Sequence, residues 1–213
     1  MPKVKSQITI SLDGYMAGPN QSEENPLGEG GEALHEWAFK LASFNEMHGR
    51  GEAGERGPSD DVLRSTQENL GAVVIGRNMF GPVRGPWPDE EWKGWWGDDP
   101  PFHCPVYVLT HYPRDPFELE NGNSFHFVTD GIEKAIAGAK EAADDQDVSV
   151  GGASTLQQTI AAGLLDEIVV TQVPVILGGG VRLFDHLAPG AAEVELAEVV
   201  EGAEALHLTY RLR

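Results

Sequence analysis

The chain has 213 residues, of which 40% are hydrophobic and 23% charged, and its 34 acidic and 15 basic side chains give a formal net charge of −19. This length suits one sizeable core, and the negative charge argues against nucleic acid or an acidic membrane surface as a partner. One cysteine excludes an internal disulfide, no Cys/His cluster has metal-ligand spacing, and no apolar run approaches the roughly 20 residues that span a bilayer. With no signal-peptide pattern at the N-terminus, we expect a single domain over residues 1–213 in a reduced cytoplasm, without a metal site.

The first half of the chain alternates strand and helix patterns. Apolar side chains at every second position of residues 4–12 predict a strand, and glycines with a proline then force a loop, SLDGYMAGP. Residues 33–42 carry apolar side chains at helical spacing. The Gly- and Glu-rich stretch 43–58 predicts a mobile surface segment, and Ser59-Asp60 predicts the cap of a helix that continues to residue 69.

The second half predicts two more helices and a closing hairpin. Asp130 and Glu133 form a capping box for the first helix. Gly151-Gly152 turns the chain from a strand into the second helix, over residues 156–162, with Ser154 and Thr155 as its cap types. Strands alternating with helices predict a mostly parallel sheet, and the hairpin makes its last strand antiparallel. Further strands are predicted at residues 72–75, 105–110, 125–129, 148–150, 166–174, 193–201 and 205–213.

Three predicted strands end in distinctive turns, Gly76-Arg77-Asn78, Thr110-His111-Tyr112 and Gly151-Gly152-Ala153-Ser154. Parallel strands place such turns at one edge of the sheet, where ligands bind. A glycine turn before a helix N-terminus offers free N–H groups to an anion, and Arg77 can clamp a phosphate. His111 and Arg114 add positive charge and no acid follows Leu109, which favours NADP over NAD. The competing interpretations are an ion-paired surface arginine, a solvated loop histidine and a turn that binds nothing.

Several motifs, in this order and spacing, resemble the dihydrofolate-reductase-like superfamily. More narrowly, they resemble proteins with the C-terminal reductase domain of the bifunctional riboflavin-biosynthesis deaminase-reductase. The resemblance runs from Lys3 to Arg213 and is interrupted at residues 43–58. The chain has no deaminase zinc motif, so the resemblance concerns the reductase half only. The motifs are SLDG at residues 11–14 with Ala17, IGRNMF at 75–80, LTH at 109–111, GGA at 151–153 and PVILGGG at 174–180.

The resemblance implies a dihydrofolate-reductase-like α/β fold: a mixed, mostly parallel sheet with flanking helices and an antiparallel C-terminal hairpin. It implies NADPH as cofactor, with the phosphates on the three turns and the nicotinamide against the SLDGYMAG loop. It also allows a cis peptide between Gly151 and Gly152. The cofactor contacts are expected at Ala17, Gly76, Arg77, Asn78, Leu109, Thr110, His111, Arg114, Val150, Gly151, Gly152, Ala153, Ser154 and Thr155.

The substrate side departs from the dihydrofolate reductases, which carry one buried carboxylate on the first helix. Glu36 is the nearest counterpart, with an exposed helix acid as the competing interpretation. Asp13, beside the nicotinamide by resemblance, is the other candidate for guiding a proton, unless it serves only the turn before Gly14. A tryptophan-rich stretch could stack on a flat heteroaromatic substrate, or could be fixed by aromatic packing or a dimer contact. The expected pocket residues are Trp37, Trp92 and Trp96.

The function predicted from these features is an NADPH-dependent reductase that transfers a hydride to a small heterocyclic or ribosylamino substrate. By resemblance, its activity is similar to that of 5-amino-6-(5-phosphoribosylamino)uracil reductase. The alternatives are dihydrofolate reductase activity, or a non-catalytic NADP-binding sensor or partner module. The apolar C-terminal hairpin and the family both favour a homodimer. The sequence does not name the substrate, because its contacts come from divergent segments.

Overall fold

The computed structural model describes residues 2–81, 84–89 and 91–213. The structure contains both strands and helices. The strands are β1 (Val4–Ile10), β2 (Tyr15–Ala17), β3 (Leu70–Gly76), β4 (Pro105–Leu109), β5 (Phe117–Glu118), β6 (Ser124–Val128), β7 (Asp147–Gly151), β8 (Glu167–Gln172), β9 (Val181–Arg182), β10 (Val194–Glu201) and β11 (Leu206–Leu212). The helices are a 3-10 turn (Gly31–Leu34), α1 (Glu36–Phe39), α2 (Ala42–Met47), α3 (Pro58–Gln67), α4 (Arg77–Phe80), α5 (Ile132–Ala143) and α6 (Ala153–Ala161).

Among the described residues, nine strands form one sheet in the order β10-β11-β8-β1-β7-β3-β4-β6-β5. The pairs β1–β7, β7–β3, β3–β4 and β4–β6 are parallel. The closing hairpin of β10 and β11 is antiparallel and joins the sheet antiparallel to β8. A second, two-stranded sheet pairs β2 with β9. The mixed, mostly parallel sheet with helices beside it and an antiparallel hairpin is confirmed.

The first of two compact units comprises the residues up to Ser6 and Asn69–Leu165. Its central strand β3 has an unbroken buried run, as expected of a parallel strand covered on both faces. Helix α5 packs on β3, β4 and β7, while α6 packs on β3 and β7. The side chains that α5 buries recur at helical spacing, namely Ile132, Ala135, Ile136, Ala139 and Ala143.

The second unit comprises Gln7–Glu68 and Asp166–Arg213. Its core contains Leu34, Trp37, Leu63 and Val173. The indole of Trp37 donates from Nε1 to Thr9 Oγ1 at 3.3 Å and packs edge-on against the His207 ring. Each unit therefore has its own apolar core, and the expectation of a single domain stays a prediction.

The predicted helix over residues 33–42 is broken into three pieces, the 3-10 turn, α1 and the start of α2. The prediction of a mobile excursion at residues 43–58 is wrong for its beginning, because Ser43 is buried in α2. The backbone N–H of Ser43 donates to Asp60 Oδ1 at 2.7 Å, so a carboxylate from α3 caps α2. The end of the segment is also fixed, since Glu55 exchanges backbone hydrogen bonds with Lys40 and Ala42.

The predicted helix caps are wrong at three sites, because glycines with positive φ precede α3, α5 and α6. No side chain caps these helices; Gly57, Gly131 and Gly152 occupy the N-cap positions instead. At the other end of α6, Gly163 follows the C-cap residue Ala162 and has a φ of +66°, the conformation glycine commonly takes just after a helix. The residues wrongly predicted as caps are Ser59 and Asp60 for α3, Asp130 with Glu133 for α5, and Ser154 and Thr155 for α6.

Among the described residues, no helix is long and apolar enough to cross a membrane. No group of three or more His, Cys, Asp or Glu side chains in that part of the chain could hold a metal ion.

Candidate functional site

The three predicted turns follow strand ends that lie side by side. The register pairs Ile75 with Gly151 and Gly76 with Leu109, and Leu109 in turn with Val128. The turns after β3, β4 and β7 are therefore at one edge of the sheet, as the strand pattern predicts. This carboxyl edge is where ligands of parallel sheets bind, and it makes the first unit the place to examine for a nucleotide site.

The turns after β3 and β7 approach closely through glycine. A Cβ at Gly76 would lie 2.7 Å from Thr155 Oγ1, so only glycine fits there without a shift. Gly152 has a φ of +88°, and a Cβ on it would meet no protein atom nearer than 3.9 Å, the backbone N of Gly76. The cis peptide that the resemblance allows is absent, since the described peptide bonds include no cis bond. A methyl group on Gly152 would therefore fit in ordinary van der Waals contact with the neighbouring turn.

Helix α6 begins directly after Gly152, beside the turn that follows β3. Its first turn contains no acidic residue and receives no side-chain cap, so its first N–H groups have no partner within the helix. Ser154 is exposed, and Thr155 is buried with its hydroxyl toward Gly76. A helix N-terminus of this kind attracts negative charge through its dipole and its free donors. The expected pyrophosphate contacts at residues 151–155 are therefore sterically and electrostatically suitable.

Arg77 is held at the same edge by aromatic and backbone contacts. Its guanidinium Cζ lies 3.1 Å from the centroid of the Trp87 ring, and Nη1 donates to the carbonyl oxygen of Gly85 at 3.3 Å. Atoms Nε and Nη2 are buried and have no hydrogen-bond partner among the residues that the structure describes. Burial lowers the pKa of Arg77, and the charges of Arg114 and Arg84 lower it further. Within the described chain Arg77 forms no ion pair, so the alternative of an ion-paired surface arginine is not realised.

The Arg114 side chain is buried and not exposed to solvent on the loop after β4. Its guanidinium carbon lies between 5.0 and 5.6 Å from the ring centroids of Phe80, Trp87, Phe117 and Phe127. Aromatic faces stabilise a cation in such a position. Arg114 therefore acts on this edge of the sheet through its charge, which reaches Arg77.

The other expected cofactor residues differ in exposure. Asn78 and His111 are exposed, whereas Thr110 is buried and its Oγ1 accepts a hydrogen bond from the Tyr112 N–H at 3.2 Å. Leu109 and Ala153 are half-buried, and Val150 is buried. Ala17 is buried in β2 of the second unit, in the small sheet with β9. That small sheet is missing from the sequence prediction, in which both segments are loops.

Asp13 is bound by two loops of the second unit. One carboxylate oxygen accepts from Ser11 Oγ at 2.6 Å and from the N–H of Leu177 at 3.1 Å, and the other accepts from the N–H of Gly178 at 2.8 Å. The Ser11 hydroxyl, followed by the Gly178 and Leu177 N–H groups, lowers the pKa of Asp13 to about 2. Asp13 is then ionised at neutral pH and has no proton to donate. Its hydrogen bonds join SLDG to the ILGGG loop, and its candidacy for guiding a proton stays a prediction.

The substrate-side predictions are only partly compatible with the structure. Glu36 is exposed on α1. Trp37 is buried in the core of the second unit, and its place in a substrate pocket stays a prediction. Trp92 donates from Nε1 to the Phe80 carbonyl at 3.1 Å, and Trp96 packs edge-on against Phe102. Both are half-buried, which agrees with a loop fixed by aromatic packing.

Two histidines with unusual surroundings are missing from the sequence prediction. Burial lowers the pKa of His35 although the backbone of Gly31 favours its protonated form, and its Nδ1 is buried without a partner. Burial also lowers the pKa of His207, whose ring nitrogens lie 2.9 Å from the hydroxyls of Ser59 and Thr171. No local signal marks either histidine, because their burial comes from distant segments.

The fold and the carboxyl-edge site define a dihydrofolate-reductase-like α/β protein. The family model named RibD C-terminal domain matches residues 2–208, and the chain belongs to that family. No curated protein matches the chain.

Solved structures with low sequence identity share this fold. A protein from Shewanella sp. PV-4 assigned to riboflavin biosynthesis has a TM-score of 0.62 at 21% identity, with 99% of both chains covered. The diaminohydroxyphosphoribosylaminopyrimidine deaminase/5-amino-6-(5-phosphoribosylamino)uracil reductase from Thermotoga maritima gives 0.58 at 14%, and this chain spans 57% of its length. The NADP(H) complex of Enterococcus faecalis dihydrofolate reductase gives 0.53 at 14%, covering 99% of this chain and 96% of the other.

Proposed function

We propose that this protein is an NADPH-dependent reductase whose first unit binds the phosphates of the cofactor. The observation that carries the proposal is Arg77, whose two buried donor nitrogens Nε and Nη2 have no hydrogen-bond partner in the described part of the chain and lie near the glycine turn that leads into α6. Membership of the RibD C-terminal domain family and the reductases among its structural neighbours support a reductase. An anion at this edge would satisfy donors that otherwise remain unpaired.

The division of labour follows from these contacts. When bound, the nicotinamide supplies a hydride for a C=N or C=O carbon of the substrate. Arg77 and the N–H groups at the start of α6 would hold the phosphates, and Arg114 would add positive potential from its aromatic surroundings. Asp13 would keep the SLDG and ILGGG loops joined. Water or an acid would deliver the proton.

The substrate we propose is a small heterocyclic or ribosylamino compound, in keeping with the 5-amino-6-(5-phosphoribosylamino)uracil reductase activity in the name of the Thermotoga protein. We also propose a cytoplasmic homodimer. Dihydrofolate reductase activity and a non-catalytic NADP-binding module are the two alternatives.

The test compares cofactor binding with turnover. Isothermal titration should show NADPH binding at least ~10-fold more tightly than NADH, about 1.4 kcal/mol, because the cationic edge favours the extra phosphate. Arg77→Gln should remove most of this preference. Lys140→Gln, which removes a charge from the last turn of α5, is the control and should retain it.

NADPH oxidation is then followed with the ribosylaminouracil intermediate and with dihydrofolate. Turnover of the first supports the proposal, and turnover of dihydrofolate alone supports the first alternative. Tight NADPH binding without turnover of either would favour the non-catalytic module. Equal affinities for NADPH and NADH would contradict the proposed phosphate site.

A further inference from the structure

Arg77 owes its orientation to a residue outside the three turns. We propose that Trp87 is a positioning residue that holds the Arg77 guanidinium flat and presents its Nε–Nη2 edge to a phosphate group. This inference rests on the proposed nucleotide-binding function and assigns a role within that site. The tryptophan comes from the irregular stretch between β3 and β4, which lacks the motifs of the turns.

The contact between the two side chains fixes the plane of the guanidinium. Its Cζ is 3.1 Å from the Trp87 ring centroid, so the planar cation lies on the indole face. Nη1 is engaged by the Gly85 carbonyl oxygen at 3.3 Å. One face and one donor group of the arginine are therefore occupied by residues of the same short segment.

Trp87 is itself anchored to the neighbouring turn. Its Nε1 donates to the carbonyl oxygen of Tyr112 at 3.0 Å. Its ring packs edge-on against Phe127 and Phe80, with centroid separations of 5.2 and 5.8 Å. Trp87 thus connects the turn after β3, which carries Arg77, to the turn after β4.

The donors that remain are those suited to an oxyanion. Nε and Nη2 lie on one side of a guanidinium and can donate two parallel hydrogen bonds to two oxygens of a phosphate. Both are buried and unpartnered, so each carries a desolvation cost that a bound oxyanion would offset. Arg84 and Arg114 act on the same guanidinium with like charge. The doubly charged phosphate monoester of a nucleotide fits this surplus of positive charge better than a carboxylate does.

Adenosine 2′,5′-bisphosphate is a suitable probe because it carries a phosphate monoester and needs no hydride transfer. Trp87→Leu, which removes the aromatic face and the Nε1 donor, should weaken its binding at least ~10-fold. Trp87→Phe keeps an aromatic face and should lose less. Trp95→Leu is the matched control: Trp95 lies in the same stretch, but its Nε1 donates to Asn78 O and its ring packs on Trp92. This control should change affinity by less than about 3-fold.

Coupling between the two residues separates positioning from a general loss of structure. Arg77→Lys preserves charge but cannot donate two parallel hydrogen bonds from one plane, so it should lose as much affinity as Trp87→Leu. If Trp87 acts through Arg77, the double variant should be no weaker than either single variant. In NMR spectra, the Arg77 Nε–H signal should shift on addition of the probe in the parent and not in Trp87→Leu. Thermal unfolding of each variant checks that it is folded.

The possible failures are distinct. Suppose that the parent protein binds the probe. The positioning role is then overturned if the Trp87 variants bind as well as Trp95→Leu, or if the losses in the double variant are additive. Either result leaves the proposed function intact. If the losses are coupled but neither substrate supports NADPH oxidation, the positioning role is supported and the reductase proposal fails. If Trp87→Leu does not fold, the same comparison is made with Trp87→Phe.

Discussion

Gly152 has a backbone conformation that favours glycine, and it also lies at the proposed phosphate site. Its φ of +88° lies in the left-handed region, which costs a residue with a Cβ roughly 1–2 kcal/mol. No protein atom lies within 3.9 Å of the position of an added Cβ, so the protein itself tolerates the methyl group sterically. The proposed phosphate would lie over this same turn. A substitution at Gly152 must therefore be compared with one that has only the conformational cost.

Gly152→Ala should weaken NADPH binding at least ~30-fold, or about 2 kcal/mol, while the apo protein still unfolds cooperatively. Gly163→Ala is the matched control, because Gly163 has a φ of +66° and open space around it at the other end of α6. Both variants should lose stability, and only Gly152→Ala should lose affinity. Equal NADPH affinities by titration would mean that the glycine turn serves the fold alone.

His207 makes stability depend on pH. Its folded-state pKa lies below the ordinary 6.5 because the ring is buried. As pH falls below about 6.5, the unfolded chain therefore binds a proton that the folded protein resists. The stabilisation is fully present above that value and is lost as pH falls toward the folded pKa. His35, whose pKa is also lowered by burial, contributes in the same direction.

The free energy of unfolding should accordingly decrease between pH 7.5 and 5.5, by at most about 1.4 kcal/mol per pH unit for each such histidine. Denaturant titrations at several pH values measure this slope. His207→Gln should flatten it, whereas His103→Gln, at an exposed histidine, should not. An unchanged slope in His207→Gln would show that the folded protein accepts a proton at His207.

At the scale of elements, ion pairs join α2 to α3, and residues 48–54 form a mostly exposed loop beyond them. Glu46 on α2 binds Arg64 on α3 through a hydrogen-bonded ion pair at 2.6 Å and also pairs with Arg56. Asp60 remains ionised despite its burial, because the Ser43 N–H and the charge of Arg64 outweigh desolvation and lower its pKa. Residues 48–54 lie outside α2 and α3, and Arg50 in this loop is exposed. Local opening is therefore easiest at the loop.

Trypsin should cleave the native protein first after Arg50 and should spare Arg56 and Arg64 until unfolding. Mass spectrometry of early fragments identifies the bond. The variant Arg50→Gln should resist cleavage in this segment. Early cleavage after Arg56 would show that the Glu46 pairs and the Glu55 backbone contacts do not hold the segment.

At the scale of the whole molecule, the sheet ends in an edge with exposed apolar side chains. On β10, Val194, Leu196 and Val199 are more than half exposed. A bulge between Leu196 and Glu198 keeps them on one face, since they pair with Leu212, Tyr210 and Leu208 of β11. Without the bulge, the step from Leu196 to Val199 would change face. An exposed apolar edge of this kind is suited to a partner, which agrees with the proposed homodimer.

Replacing Leu196 and Val199 together with lysine should convert the dimer into a monomer, because charges would then occupy the contact surface. Sedimentation equilibrium measures the mass. Phe39→Lys, at an exposed aromatic residue on α1, is the control and should leave the mass unchanged. A monomeric parent, or a double variant that remains dimeric, would contradict an interface at this hairpin.

The sequence by itself determined eight of the nine strands of the main sheet and the three turns that meet at one edge, but not β5 or the small sheet of β2 and β9. These features depend on apolar periodicity and on glycines, which are local properties of the chain. The residues that complete the edge were decided by tertiary structure: Trp87 covers Arg77, and aromatic rings enclose Arg114. Asp13 binds N–H groups more than 160 positions away, and Asp60 caps a helix that precedes it. Such contacts have no period, because they depend on where the folded chain brings side chains that lie far apart in the sequence.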